Sequence, residues 1–319
     1  MNLLKMLNFI ILFFLQITSV SYIFGFSPEK ARFSIKFKDD IIPYRVFGLF
    51  LLPEEEVILE IQDPDEKSEY TMNSTVENIK QIDIRKWKFK LPKEKGLYHI
   101  KINDHQLIDS INLNIFIVIP FKELKGEYLN DYRIGNYPLI PSNLIHTYKK
   151  TVGFIEVTEE NKETYISPHF KVGQFLCKQK SNFPKYIVLK ERLLLKLELI
   201  LEKVNGMGLY CETFNIMSGY RTPYYNKLIG NVKYSRHLWG GAADIFIDEN
   251  PKDKMMDDLN KDGKIDYKDA AVLYDIIDNM YGKPWYKPFI GGLGRYKKKY
   301  NHGPFVHVDV RGFRARWGD

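Results

Sequence analysis

Ser235-Arg236-His237-Leu238-Trp239-Gly240-Gly241-Ala242-Ala243-Asp244 sets a histidine and an aspartate seven positions apart, with a run of small residues between them. Asp244 opens the apolar run Ile245-Phe246-Ile247, which reads as a buried strand. The Gly240-Gly241 pair lets the chain fold back, so that the imidazole of His237 can face the carboxylate. Imidazole nitrogen and carboxylate oxygen are both zinc ligands, and a catalytic zinc keeps three protein ligands plus a water. The third ligand has to come from elsewhere. His307 is the candidate, in the β-like run Phe305-Val306-His307-Val308-Asp309-Val310.

Working outward, Ser218-Gly219-Tyr220-Arg221-Thr222-Pro223 precedes the motif Ser235-x-His237-x-x-Gly240-x-Ala242-x-Asp244, and Phe305-Val306-His307-Val308-Asp309 comes after it. In this order the three stretches resemble the zinc peptidases of the D-alanyl-D-alanine carboxypeptidase type. That superfamily also includes bacterial murein endopeptidases and the hedgehog signalling domain. The resemblance covers about the last 200 residues, the usual size of one domain. It implies zinc on His237, Asp244 and His307, and peptidoglycan stem peptides as substrate. It also implies that Arg221 sits beside the zinc and stabilises the charge developing on the attacked carbonyl. The residues alone allow the same role. A guanidinium at the end of the strand-like run 212–217 can clamp a carboxylate or an oxyanion with two donors. A surface arginine paired with a nearby acid is the plainer alternative.

The chain departs from the family pattern twice, at the third ligand and at the general base. Many relatives carry a His-x-His pair, but Phe305 stands at the first position here. Many also place Glu or Asp a few residues before the ligand, whereas this chain has Asn301-His302-Gly303-Pro304. Asp309 and His302 are then the candidates for the base. Asp309 shares a strand face with His307 by the two-residue period. It can orient that histidine, act as base, or bind metal itself. The sequence does not choose between a D,D-carboxypeptidase, a D,D-endopeptidase and an L-alanyl-D-glutamate peptidase.

Between the metal motifs lies Asp258-Leu259-Asn260-Lys261-Asp262-Gly263-Lys264-Ile265-Asp266-Tyr267-Lys268-Asp269. Asp258, Asn260, Asp262, Asp266 and Asp269 place oxygens at loop positions of the EF-hand calcium pattern, Lys264 offers its backbone carbonyl, and Gly263 marks the sharp turn. Asp269 replaces the usual Glu, as dockerin-like loops tolerate, and is a methylene shorter. An amphipathic helix comes next, with Val272, Leu273, Ile276, Ile277 and Met280 on one face. A solvated acidic loop is the alternative. Calcium at this loop would act as a structural clip.

Residues 1–21 read as a signal peptide or an uncleaved anchor: Lys5 precedes a mostly apolar run from Leu7 to Ile17, and Ser19-Val20-Ser21 offers small residues. The run is short against the ~20 residues of a membrane span. Either way the chain is expected to be exported, to the periplasm, the cell envelope or the medium. Residues 22–120 alternate apolar and polar in short runs, at 31–37, 57–61, 87–91, 98–102 and 111–118, separated by turns such as Asp63-Pro64-Asp65. That spacing predicts a small all-β sandwich, read as a positioning or wall-binding module. His99 and His105 read as strand and turn residues there. A boundary near residue 121 falls in a Gly-, Asn- and Pro-rich stretch whose aromatics can pack on the second domain.

Residues 121–319 form the expected α+β catalytic domain, a small, mainly antiparallel sheet with packed helices. Leu189, Leu193, Leu194, Leu197, Ile200, Leu201 and Val204 recur at helical spacing, with Lys190, Glu191, Lys196, Glu198, Glu202 and Lys203 on the other face. His169 reads as a turn or cap residue. Gly291-Gly292-Leu293-Gly294 lacks a phosphate-loop ending and reads as a turn feeding the last strand. Cys177 and Cys211 can form one bridge or stay as buried thiols. The net charge of +7 suits an anionic partner. No nucleic-acid-binding signature accompanies it, so an envelope polymer is the expected partner of a monomeric enzyme. The alternative is a metal-dependent wall-binding module without turnover.

Overall fold

The computed structural model describes residues 25–63, 67–105, 109–148, 151–300 and 302–318. The expected targeting segment, 1–21, and most of the Asp63-Pro64-Asp65 turn lie outside the described residues. Among the described residues no helix is long and apolar enough to cross a membrane.

Among the described residues the amino-terminal part forms nine strands: β1 (Lys30–Phe37), β2 (Asp40–Tyr44), β3 (Val46–Leu51), β4 (Glu56–Gln62), β5 (Tyr70–Ser74), β6 (Lys80–Asp83), β7 (Lys86–Lys90), β8 (Gly96–Asp104) and β9 (Ser110–Ile117). The alternation read from the sequence is the cause. Phe33, Ile35 and Phe37 of β1, and Val57, Leu59 and Ile61 of β4, are buried while the residues between them are not. One sheet runs β2-β1-β4-β7-β6 and the other β3-β9-β8-β5. Their inner faces meet, with the Phe33 and Tyr70 rings 4.9 Å apart. His99 pairs with Asn114 across β8 and β9, a strand residue as expected.

Seven short strands come next: β10 (Ile119–Pro120), β11 (Tyr128–Leu129), β12 (Tyr132–Arg133), β13 (Gly153–Val157), β14 (Tyr165–Ser167), β15 (Phe170–Lys171) and β16 (Lys185–Ile187). The stretch read as a domain boundary is packed rather than open. Tyr132 and Ile134 are buried, and the hydroxyls of Tyr137 and Tyr220 share a hydrogen bond of 2.9 Å. Gly135 has φ +82°, and a Cβ there would lie 2.6 Å from the backbone nitrogen of Tyr224. Apolar burial is continuous through the chain: one cluster includes Phe33 and Leu59 at one end and Leu197 and Val308 at the other.

Helix α1 (Glu191–Gly206) buries the predicted leucines, and part of its charged face is covered as well. Lys196 and Glu198 are 1% and 0% exposed. The helix is covered on both sides, and its charges serve as attachment points. Glu191 accepts from the backbone N–H of Phe50, Glu202 from the Tyr44 hydroxyl, and Glu198 binds His169 through the backbone N–H and through Nδ1 at 2.7 Å. His169, read as a turn or cap residue, is thus an ion-pair partner whose ring also stacks on Phe26.

The last sheet is β17 (Asn215–Ser218), β18 (Ala242–Phe246), β19 (Gly292–Tyr296), β20 (Phe305–Asp309) and β21 (Ala315–Gly318), in the order β17-β18-β20-β19-β21. All neighbours are antiparallel except β19 and β21. Helices α2 (Pro223–Leu228) and α3 (Tyr267–Asp278) complete the part. The sheet matches the expected mainly antiparallel one, while strands dominate the chain and helix packing is limited. Gly292–Gly294 of the glycine-rich run belong to strand β19 itself rather than to a turn. Its glycines admit the indole of Trp317, since a Cβ on Gly294 would lie 2.2 Å from the Trp317 Nε1. Cys177 and Cys211 are both buried free thiols, not a bridge.

Candidate metal centre

Each of the three predicted ligands arrives on a different element. His237 lies in a 3₁₀ turn, Arg236–Trp239, closed by Gly240 at φ +62°. A Cβ on Gly240 would stand 2.2 Å from the carbonyl oxygen of Val188, so only glycine fits the reversal that leads into β18. Asp244 is in the middle of β18, and His307 lies directly opposite it on β20. The register therefore stacks carboxylate against imidazole, and the turn swings His237 over both.

The three residues are 2–7% exposed. His307 Nδ1 lies 2.8 Å from Asp244 Oδ1, His237 Nε2 lies 3.3 Å from the same oxygen, and the two nitrogens are 3.2 Å apart. Ligands about 2.0–2.1 Å from one tetrahedral ion stand roughly 3.3 Å from each other, so the triangle has the dimensions of a zinc site. The outer ring nitrogens support this. His237 Nδ1 donates to the carbonyl of Gly219 at 2.7 Å, and His307 Nε2 donates to Asp309 Oδ2 at 3.3 Å. With the outer nitrogens donating, the inner ones of neutral rings are lone pairs aimed at a common point beside Asp244. Among the described residues, His237, Asp244 and His307 are the one group of three such side chains with ligand atoms within 4.8 Å of one another.

Burial and neighbouring charge set the electrostatics. Burial works to raise the Asp244 pKa, but His237, His307 and Arg221 outweigh it and hold the carboxyl well below the usual range. Burial lowers the pKa of His237. It acts in the same sense on His307, where hydrogen bonds to Asp244 and Asp309 overcome it and leave the pKa raised. A metal ion would replace that shared proton.

Arg221 reaches the site as expected. Its Nη2 donates to Asp244 Oδ2 at 2.5 Å and its Nε to Ser218 Oγ at 2.8 Å. Asp309 is fully buried and saturated. It accepts from His307, from the backbone N–H of Gly292 and from the N–H and guanidinium of Arg311. The Asp309 main-chain carbonyl accepts from Lys196 Nζ at 2.7 Å, and burial pushes that ammonium down to about 7. Of the three roles open to Asp309, its geometry fits the orienting one. His302 is not brought to the triad: its Nδ1 bonds the Gly303 carbonyl, its ring meets Phe305 edge-on, and it lines a separate cleft.

The triad opens on a cavity of about 490 Å³ walled by Tyr148, Tyr234, Arg236, Tyr296 and Trp317. These walls come from separate stretches of the chain and carry no motif of their own in the sequence. The Trp317 ring lies 5.2 Å from that of His307, and its Nε1 donates to the Tyr296 hydroxyl. Asp244 is the cavity's one carboxylate among the described residues.

The loop at 258–269 is formed, with Gly263 at φ +81°. Its acids bind its own backbone: Asp258 accepts from Asp262 and Gly263, Asp262 from Lys264, and Asp269 from Leu259, Asn260 and Asp266. Asp266 caps α3. These carboxylates do not gather as tightly as the triad.

Comparison with known proteins points the same way for the second half of the chain. No curated protein matches it. Solved structures give weak likenesses. A candidate alpha-galactosidase/melibiase from Bacteroides fragilis NCTC 9343 shares 17% identity over 27% of this chain and 19% of its own, TM-score 0.19. The adhesin InvE of Yersinia pseudotuberculosis shares 8% over 30% of each, TM-score 0.19. The M1 domain from titin shares 17% over 23% of this chain and 87% of its own, TM-score 0.16. This chain thus spans less than a third of the first two, and such scores carry no argument. The Peptidase M15 family model matches residues 168–268, a stretch holding Arg221, His237 and Asp244, and with the buried His–Asp–His group it supports a zinc-dependent peptidase.

Proposed function

We propose that the protein is an exported zinc peptidase that hydrolyses peptide bonds in peptidoglycan stem peptides, as a D,D-carboxypeptidase or endopeptidase. The observation that carries this is the convergence of two imidazole lone pairs and one carboxylate oxygen, within 3.3 Å of each other, at the floor of an open cavity. His237, Asp244 and His307 would hold the ion. When bound, zinc supplies a water of lowered pKa and polarises the scissile carbonyl. Arg221, already beside Asp244, is placed to donate to the developing oxyanion or to a substrate carboxylate. Asp309 holds His307 with Nδ1 facing inward. Tyr148, Tyr296 and Trp317 wall the cleft in which a peptide would lie. Incubating the zinc-loaded protein with purified muropeptides and weighing the products by mass spectrometry tests the reading and names the bond. Intact muropeptides would contradict it.

The absence of a second carboxylate from the cavity lining, among the described residues, favours one other reading, a metal-dependent wall-binding module. It would retain wall fragments uncleaved with zinc fully loaded.

Export rests on residues 1–21, and the β-rich part, 22–120, is proposed as a positioning module for the peptidase part, 121–319, in a monomer. The loop at 258–269 is proposed as a calcium clip, supported by its oxygen spacing and by Gly263 at the turn.

A further inference from the structure

The sheet that carries the triad continues past it. Asp244 and Phe246 share a face of β18, and His307 and Phe305 share a face of β20, by the two-residue period of a strand. Phe246 opens a second cleft of about 580 Å³. Lys178, Lys254, Lys298 and Lys299 line it beside His302, and its lining includes no Asp or Glu among the described residues. None of the four ammonium groups has an ion-pair partner among those residues. Four like charges with no ion pair among the described residues repel one another and create a potential that favours an anion. Part of the lining is different in kind. Met217 and Met255 form it with Phe246, and unbranched thioether side chains adapt to small apolar groups of irregular shape. Both Asp244 and Arg221 lie within electrostatic reach of the Lys178 ammonium.

We propose that this cleft binds the carboxylate-bearing arm of the substrate, an anionic peptide with free carboxylates separated by small apolar groups. Lys178, Lys254, Lys298 and Lys299 hold its carboxylates while the scissile bond lies over His237, Asp244 and His307. The inference rests on the peptidase reading, but its binding arm can be tested apart from turnover.

The probes are a fluorescein-labelled peptide with three free carboxylates spaced by alanines, the same peptide fully amidated, and a poly(glycerol phosphate). Fluorescence anisotropy compares the zinc-loaded full chain with the triple variant Lys178→Gln, Lys298→Gln, Lys299→Gln. The wild type is expected to bind the carboxylate peptide at least ~10-fold tighter than the amidated one, a gap that narrows with salt. The triple variant should lose that gap, keep its zinc, and raise KM on the acidic peptide. A gap that survives in the variant, an equal loss on both peptides, or preferential binding of the poly(glycerol phosphate) would overturn the proposal. Tight carboxylate-dependent binding with no cleavage of any peptide would uphold the cleft and count against the peptidase reading.

Discussion

His307 is held between two aspartates: its Nδ1 lies 2.8 Å from Asp244 Oδ1 and its Nε2 lies 3.3 Å from Asp309 Oδ2. Asp309 in turn is fixed by Arg311, Gly292 and, at its carbonyl, Lys196. An aspartate so fully engaged orients its histidine and has no lone pair free for an attacking water. Asp309→Asn should therefore weaken zinc affinity by roughly 10–100-fold, with activity restored by excess metal. Isothermal titration with zinc and metal-rescue kinetics check this. Wild-type affinity with a kcat lowered by ~10²–10⁴ would assign the residue to proton transfer instead.

Arg221 donates to Asp244 on the side away from the shared ligand oxygen. If it moves to the substrate oxyanion, Arg221→Ala should lower kcat by roughly 10²–10³. Zinc content, measured by inductively coupled plasma mass spectrometry, should remain near that of the wild type. Unchanged kcat would reduce Arg221 to an ion-pair partner.

The His169–Glu198 pair predicts a pH effect on stability. Burial works to lower the His169 pKa, but the hydrogen bond and charge of Glu198 outweigh it, and the folded value is raised above about 6.5. The stabilisation is fully present below about pH 6.5 and is lost as pH rises through the raised value. His169→Gln should remove this part of the slope in thermal-melt profiles. An identical slope in the variant would exclude the pair as its source.

The loop at 258–269 predicts a calcium response. Asp258→Ala combined with Asp262→Ala should lower Tm in calcium but not in chelator, because a ligand stabilises only the state that binds it. Zinc content should not move. Equal calcium responses in wild type and variant would leave the loop held by its own backbone hydrogen bonds.

Much of this architecture is legible in the sequence because it depends on local period. The alternation of Phe33, Ile35 and Phe37 and the helical spacing of Leu193, Leu197 and Leu201 each translate into buried faces. The grouping of His237, Asp244 and His307 is legible from their residue types and order. What escaped depends on long-range contact. Lys196 and Glu198 read as solvated charges because an amphipathic pattern assumes one covered face, whereas α1 is covered on both. Trp317 and the glycines of β19 take their meaning from each other, across the final strand pairing. His302 is near His307 in sequence, yet its ring faces Phe305 and the neighbouring cleft.

The zinc content of the purified full chain tests the central claim most directly. The wild type should carry about one zinc per chain, as a single three-ligand site requires. His237→Ala and Asp244→Ala should each lose most of it, while a variant outside the site, such as Lys254→Gln, keeps it. Full zinc retention in both ligand variants would contradict the assignment of His237, Asp244 and His307 as the metal centre.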